Sequence, residues 1–423
     1  MKTGRGIVLL LLAAALSFPG SVLAWDSNVI AQIQQTLEDY LAERGKDETV
    51  SAVSLHIELA DPGPVIEAYA GTDGLRDNQP IDGDTLFQIG SNTKNFEAAV
   101  VLKLEAEGRL NIDQTVGDWL PEYPAWRHVK IRQLLNMTAD IPTYSGTVAI
   151  GRLLASDLDY QFTNRQLIRA AYPRPGNELP IPAGWFYSNT NNILAALIIE
   201  RASGESLKEH FERLFKDVGL HNTFYSDGPY PDTVLDRVPV GIFNNPECVN
   251  YEPTPCTRSV LAPLLGKDMR RQNMSWAGGA GAIISSPRDL AKYVRALFGG
   301  RLIPKQQLRE MQTLVDQGTG RPVKEATKGH AAFGLDLAQA FNMDLGGLYW
   351  FYEGETLGYR CIFVYWPQYN VVMTVATNSQ PPAKEDLLGA FVLGKVWKIL
   401  SDAGLIPAAP PAGPVVFPPV NLD

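Results

Sequence analysis

A serine and a lysine that could act together lie three residues apart in the first quarter of the chain. Ser91 follows a short apolar run that ends at Gly90, and Lys94 comes one helical turn later. Because residues i and i+3 share a face of a helix, the lysine amine can approach the serine oxygen and accept its proton. Ser91 is the only serine in the sequence followed by lysine at this spacing. The spacing alone leaves open a plainer interpretation, a helix cap followed by a solvated lysine.

A second motif could move protons around the same serine. Tyr187-Ser188-Asn189 stands just before a helical pattern and is the only Tyr-x-Asn in the sequence. A tyrosine hydroxyl can relay a proton, and an asparagine side chain can both donate and accept hydrogen bonds. The alternative is that Tyr187 fills the core and Asn189 caps the following helix.

These motifs lie among strand and helix patterns whose order is typical of an α+β protein. Alternating apolar residues separated by turn residues predict strands, and apolar residues at helical spacing predict helices. The predicted strands are Ser51–Leu59, Val65–Ala70, Ala280–Ile284, Leu348–Gly354, Tyr359–Trp366 and Val371–Thr377. The predicted helices are Ser27–Gly45, a helix that carries Ser91 and Lys94, Asn189–Ala202, Ser206–Phe215, Pro287–Phe298 and Lys384–Leu400.

This order predicts a central antiparallel sheet flanked by helices, with a mostly helical second lobe and the active site in the cleft between them. The expected division is one catalytic domain at 25–405, made of a sheet lobe (25–90 and 275–402) and a helical lobe (91–274), and a tail at 406–423. The tail is rich in proline, so we expect it to be extended.

The first 24 residues predict export of the protein. Lys2 and Arg5 form a charged start, an apolar core follows, and small residues up to Ala24 suggest a cleavage site, as in a signal peptide. The apolar core is short for a membrane span, so we expect a secreted protein in a bacterial periplasm. Loss of Lys2 and Arg5 takes the formal charge from −9 to −11, which disfavours nucleic acid or an anionic membrane as a partner.

The sequence contains three cysteines, a number that suits an oxidising compartment. Cys248 and Cys256 flank a loop and are the expected disulfide. Cys361 lies in an apolar strand pattern and is expected to be a buried thiol.

Taken with their surroundings, the motifs resemble the serine β-lactamase and penicillin-binding protein superfamily. The resemblance is nearest to class C β-lactamases, D-alanyl-D-alanine carboxypeptidases and related esterases, and it covers nearly all of the chain between the signal peptide and the tail, apart from the region around Cys248. It rests on both motifs and on Asp84 to Gly90, Gly108 to Leu110, Val116 to Pro121, Ile131 to Leu135 with Thr138, Pro182 to Gly184, Gly278-Gly279 and Ser286 to Leu290. The fold that it implies is the β-lactamase/transpeptidase-like α+β fold.

The resemblance also implies a role for each motif residue. Ser91 would be the acylated nucleophile, and Lys94 its base or proton relay. Tyr187 would pass a proton to the leaving group, and Asn189 would hold the substrate amide and Lys94. The backbone N–H groups of Ser91 and Glu355 would form the oxyanion hole.

A third motif of this family departs from the usual pattern. Relatives usually have Lys or His, then Thr or Ser, then Gly, whereas the matching place here is Tyr352-Glu353-Gly354. The cation and the hydroxyl that grip a substrate carboxylate are both lost, and we expect Glu353 to repel such a carboxylate. The substrate could lack the carboxylate, or it could carry an amine that pairs with Glu353. Alternatively, Glu353 and Glu355 could hold a divalent cation such as zinc, although a solvated strand face is the more ordinary interpretation.

These observations predict an exported serine hydrolase with a Ser91 acyl-enzyme, and β-lactam hydrolysis is the first expectation. The motifs require no cofactor, and the expected partner is a small β-lactam, peptide or ester. The alternatives are an esterase, a D-amino-acid peptidase or carboxypeptidase, and a non-catalytic penicillin-binding sensor. No membrane span is expected in the mature chain.

Overall fold

The structure is a computed structural model that describes residues 27–60, 63–75, 77–176, 179, 181, 183–244, 258–379 and 388–406. The predicted signal peptide, the predicted disulfide and all but the first residue of the tail lie outside these residues. None of the helices in the described ranges combines the length and apolar character needed to cross a bilayer.

Strands form one large antiparallel sheet and one small sheet in the described chain. In chain order, β1 to β12 are Ala52–Glu58, Val65–Gly71, Phe87–Gln88, Thr223–Phe224, Ile284–Ser285, Leu314–Asp316, Pro322–Val323, Ala332–Phe333, Ala338–Asn342, Gly347–Thr356, Tyr359–Trp366 and Val371–Thr377. The large sheet has the order β2-β1-β12-β11-β10-β9-β8-β6-β7, and the small sheet has the order β3-β5-β4. The first hairpin therefore joins the last meander through β1 and β12, with Val53 opposite Thr377.

Helices cover both faces of the large sheet. In chain order, α1 to α13 are Ser27–Glu48, Asn92–Ala106, Val116–Trp119, Ile131–Leu135, Val148–Ser156, Asn164–Ala171, Asn189–Ser203, Leu207–Val218, Asp232–Leu235, Arg258–Leu261, Pro287–Phe298, Lys305–Met311 and Gly394–Asp402. Side chains alternate along the strands, so α1 and α13 pack on one face and α2 and α11 on the other. This arrangement confirms the predicted α+β class and the antiparallel sheet flanked by helices.

Several predicted elements have different bounds in the structure, among them α1, β5 and α13. Helix α1 continues past Gly45, because Glu48 in its last turn accepts hydrogen bonds from Tyr40 and Arg44, each at 2.7 Å. The strand predicted at 280–284 is reduced to β5, since Gly278–Ala280 forms a 3₁₀ turn that starts at a φ of +46°. The last helix begins at Gly394, after a π-helical turn at Leu388–Leu393.

Helix α2 runs through the interior. Nearly every residue from Asn92 to Leu104 is buried, including the polar side chains of Lys94, Asn95 and Glu97. Buried polar groups need hydrogen-bond partners or a shifted protonation state. The helix therefore presents chemistry, as well as packing, to the elements around it.

Candidate active site

Ser91 and Lys94 meet at the start of α2. Ser91 is the N-cap residue, yet its side chain makes no capping hydrogen bond. Lys94 is fully buried, and its Nζ donates to Ser91 Oγ at 2.9 Å and to the Ala280 carbonyl at 2.6 Å. The pair is therefore not a cap followed by a solvated lysine. The hydroxyl is left free to attack, with an amine beside it.

Two glycines let strand β10 approach the backbone of Ser91 closely. Gly90 has a φ of +51°, and a Cβ there would lie 2.5 Å from the Glu355 amide nitrogen. A Cβ at Gly354 would lie 1.9 Å from the Ile89 carbonyl oxygen and 2.6 Å from the Ser91 amide nitrogen. Only glycine fits at both positions, so the backbone of β10 at Glu355 lies directly against the backbone at Ser91.

Tyr187 approaches the same lysine from the loop that precedes α7. Lys94 Nζ lies 4.9 Å from the centre of the Tyr187 ring. The Tyr187 hydroxyl lies 3.4 Å from the hydroxyl of Tyr352 on β10, a long contact for two hydroxyls. The structure thus brings Ser91, Lys94, Tyr187 and Tyr352 together from three separate segments of the chain.

Asn189 has partners that the sequence did not indicate. Its Nδ2 donates to Ser145 Oγ at 2.8 Å, and its backbone N–H donates to Thr143 Oγ1 at 3.0 Å. Those two hydroxyls lie 2.9 Å apart in the loop before α5. Sequence reasoning missed both because they lie more than 40 residues from Asn189 and belong to no recognised motif.

The two glutamates of the third motif face away from Ser91. Along β10, Tyr352 and Gly354 face α2, so Glu353 and Glu355 point to the opposite face of the sheet. There Glu353 lies 3.0 Å and Glu355 3.9 Å from the guanidinium of Arg360, a buried residue on β11. Arg360 thus pairs with Glu353, and the expectation that Glu353 repels a substrate carboxylate or pairs with a substrate amine stays a prediction.

The same arginine bears on the cation hypothesis. Within the described residues, no group of three or more histidine, cysteine or acidic side chains is arranged to hold a metal ion. A divalent cation at Glu353 and Glu355 would also lie beside the positive charge of Arg360. Arg360 was missed because only the strand register places it opposite Glu355.

Two buried carboxyl groups lie beneath Lys94. Asn192 Nδ2 donates to Glu97 Oε2 at 2.8 Å and to Asp336 Oδ2 at 2.9 Å. Burial raises the pKa of Asp336 to about 8 and raises the pKa of Glu97 well above its usual value, while the charge of Lys94 lowers both. Burial also raises the pKa of the Tyr352 hydroxyl, which faces Asp336. Neither acid was a candidate from the sequence.

A small recess lies over the nucleophile. It has a volume of about 30 Å³, room for about one water molecule, and its lining includes Ser91, Asn189, Trp276, Glu355 and Thr356. A larger cavity of about 720 Å³ lies between β10 and α13, on the opposite face of the sheet. We take the small recess as the candidate site because it holds the nucleophile and its partners, whereas the larger cavity holds none of them.

Cys361 matches its expected role. It is fully buried on β11 with a free thiol, and burial raises the pKa of that thiol above its ordinary value. It is therefore a packing residue rather than a second nucleophile.

Comparison with known proteins matches this chain to one protein family and to individual relatives. The family model described as Beta-lactamase matches residues 37–395. "Penicillin-binding protein 4*" of Bacillus subtilis (strain 168) is 28% identical over 283 residues, which cover 64% of this chain and 56% of that protein. "Esterase EstB" of Burkholderia gladioli is 29% identical over 195 residues, covering 43% of this chain and 47% of the esterase. The chain thus spans only about half the length of these relatives.

Solved structures show the same fold. A D-stereospecific amidohydrolase from Streptomyces sp. superposes with a TM-score of 0.63 at 27% identity, covering 82% of this chain and 94% of the other. A D-amino acid amidase from Ochrobactrum anthropi SV3 superposes with a TM-score of 0.71 at 22% identity, covering 89% of this chain and 99% of the other.

Proposed function

This chain belongs to the beta-lactamase family, a family of serine hydrolases, and we propose that it hydrolyses small amides or esters through an acyl-enzyme on Ser91. The observation that carries the proposal is the buried Lys94 amine, 2.9 Å from a serine hydroxyl that makes no capping bond. A buried base beside a free hydroxyl is the arrangement that activates serine for attack on a carbonyl.

Acylation begins with a proton transfer from Ser91 to Lys94. Lys94 in its amine form takes the proton of Ser91, and Oγ bonds to the substrate carbonyl carbon. The carbonyl oxygen, now an anion, is held by the N–H groups of Ser91 and Glu355, a contribution of about 3 to 4 kcal/mol per essential donor. The bond to the leaving nitrogen or oxygen then breaks. Tyr187 gives that atom a proton and regains one from the Lys94 ammonium.

Deacylation runs through the same groups in reverse. A water molecule loses a proton to the Lys94 amine, directly or relayed through the Tyr187 hydroxyl, and attacks the ester carbon. The Ser91 oxygen then leaves with a proton from the Lys94 ammonium. Asn189, held by Ser145 and Thr143, offers its carbonyl oxygen to the N–H of an amide substrate. Water and acyl donor thus give acid and alcohol or amine as products.

The charge around the recess favours substrates without a carboxylate. Among the described residues that line it, none is cationic. Tyr352, a neutral hydroxyl, stands where relatives carry lysine or histidine. We therefore rank esters and amides that lack a carboxylate, including D-amino-acid amides, above penicillins. β-Lactam hydrolysis, the first expectation from the sequence, uses the same steps and remains a prediction that one assay can test.

We also propose that this activity operates outside the cytoplasm of a bacterium. The support is the charged and apolar pattern that ends at Ala24. N-terminal sequencing of the mature protein from a bacterial host would test it, with a start at Trp25 expected. A secreted product that still begins at Met1 would contradict the predicted cleavage.

The test of function is intact-protein mass spectrometry over time with a p-nitrophenyl ester, a D-amino-acid amide and a penicillin. We expect an adduct on Ser91 that forms and decays, and no adduct on Ser91→Ala. Ser206→Ala is the matched control, because Ser206 caps α8 through its side chain and does not line the recess at Ser91. A persistent adduct would indicate a penicillin-binding sensor, whereas full activity of Ser91→Ala would refute the proposal. Addition of zinc or a chelator should change nothing.

A further inference from the structure

Asp336 has a left-handed backbone conformation, which residues other than glycine rarely adopt. It lies in the turn between β8 and β9 with a φ of +49° and is fully buried. Its N–H donates to the Leu135 carbonyl at 2.8 Å, and its carbonyl accepts from Asn95 Nδ2 at 2.7 Å, so the conformation is fixed. A residue other than glycine in this region costs about 1 to 3 kcal/mol, and such strain concentrates at functional sites.

The carboxyl group of Asp336 points toward the candidate site. Its Oδ2 accepts from Asn192, while Oδ1 is buried without a hydrogen bond of ordinary geometry. The hydroxyl of Tyr352 faces this carboxyl group, and each of the two groups shifts the pKa of the other. Tyr352 is itself 2% exposed, so bulk water does not separate them.

Tyr352 connects this carboxyl group to the catalytic tyrosine. Its hydroxyl lies 3.4 Å from that of Tyr187, whose ring lies 4.9 Å from Lys94 Nζ. The contacts form a chain from Asp336 through Tyr352 and Tyr187 to the Lys94 amine. Catalytic hydrogen bonds are often long in an empty site and shorten when substrate binds.

We propose that Asp336 and Tyr352 are a positioning pair that supplies the Tyr187 hydroxyl with a hydrogen-bond donor. The inference rests on the proposed acyl-enzyme function. In its acid form, Asp336 donates to the Tyr352 oxygen, and Tyr352 donates to the Tyr187 oxygen. The proton of Tyr187 then points to the leaving group, and the charge that develops on Tyr187 is stabilised. Neither member of the pair touches the reacting atoms.

The protonation state of Asp336 sets the direction of this chain. The titratable groups that face it are Lys94 and Glu97 on α2, Tyr293 on α11, and Tyr352 on β10. Burial raises the pKa of Asp336 to about 8, so its acid form predominates at neutral pH. Above that pH the Asp336 carboxylate accepts a hydrogen bond from the Tyr352 hydroxyl, and Tyr352 can then only accept a hydrogen bond from Tyr187. We therefore expect turnover to decline as the pH rises through about 8.

The test compares three variants by kcat, KM and the rate of Ser91 acylation between about pH 6 and pH 10. Tyr352→Phe and Asp336→Ala should each lower kcat about tenfold with little change in KM, the effect of one hydrogen bond made mainly in the transition state. Asp336→Asn should keep its rate at pH 7, because an amide N–H donates to Tyr352 permanently, and should lose the decline above pH 8.

Tyr359→Phe is the matched control for removal of a buried tyrosine hydroxyl, since Tyr359 donates to the Pro239 carbonyl at 2.7 Å. It should keep the wild-type kcat and pH profile, even if its melting temperature falls. Wild-type acylation by Tyr352→Phe, or an unchanged alkaline decline in Asp336→Asn, would overturn the pair while the proposed function stands. A wild-type protein that never acylates at Ser91 would overturn both. If Asp336→Ala does not fold, the other two variants decide.

Discussion

Replacing Gly354 with alanine should separate the oxyanion donors without touching any catalytic side chain. The new Cβ would lie 1.9 Å from the Ile89 carbonyl oxygen, whereas real Cβ atoms essentially never come within 3.0 Å of such a neighbour. Relieving this clash requires β10 and the segment that leads into α2 to move apart by about 1.1 Å. Both contacts are to backbone atoms, so no flexible side chain can absorb the movement.

The expected loss of catalytic rate follows from the displacement of the two backbone N–H groups. The N–H of Glu355 lies on β10 and that of Ser91 at the N-cap of α2, so the distance between them changes directly. A misplacement of about 1 Å can cost about 100-fold in rate, and loss of one oxyanion donor costs about 100- to 1,000-fold. We therefore expect kcat to fall at least about 100-fold, or about 3 kcal/mol, with a smaller change in KM because the anion exists only after attack.

The assay is the steady-state rate with a p-nitrophenyl ester, combined with mass spectrometry of the Ser91 adduct and a thermal unfolding curve. Gly45→Ala is the control, because its Cβ would meet only the Val50 carbonyl oxygen, at 3.4 Å, and alanine suits the helix α1. A folded Gly354→Ala protein with kcat within about threefold of wild type would refute the assignment of the oxyanion hole.

Three further results are expected. Ser145→Ala removes a hydrogen-bond partner of Asn189 and should raise KM for an amide about fivefold with little change in melting temperature, as measured by initial rates and thermal unfolding. Hydrogen bonds from His56 and from a neighbouring arginine hold the pKa of Glu67 far below its usual 4.5. Its stabilising effect is therefore complete above that pH and lost in acid, and Glu67→Gln should melt lower at pH 7 but lose less stability between about pH 5 and pH 3. A thiol reagent should label Cys361 only after denaturation, because its thiol is buried. Cys361 should be the only cysteine labelled, because the other two are predicted to form a disulfide. Labelling of Cys361 in the native protein, measured by mass spectrometry, would contradict its burial.

The local elements were predictable because their signals lie within short stretches. The strands Tyr359–Trp366 and Val371–Thr377 have the predicted bounds, since continuous apolar runs there are closed by clear turn residues. The short strands β6 to β9 were missed, because runs of two to five residues carry too little periodicity. The end of α1 was misplaced because Glu48 is held by side chains one and two turns earlier, which outweigh the glycine stop at Gly45.

The sequence by itself determined the pairing of Ser91 with Lys94, because a helix places residues three apart on one face wherever the helix lies. It also determined the α+β class, through the order of its strands and helices. Only the tertiary structure decided which groups surround that pair. Arg360 balances Glu353 through strand register, and Ser145 reaches Asn189 across 44 residues. Asp336 lies near Tyr352 because the turn between β8 and β9 packs against α2 and α7. The position of a residue in the sequence carries no information about such contacts between distant segments.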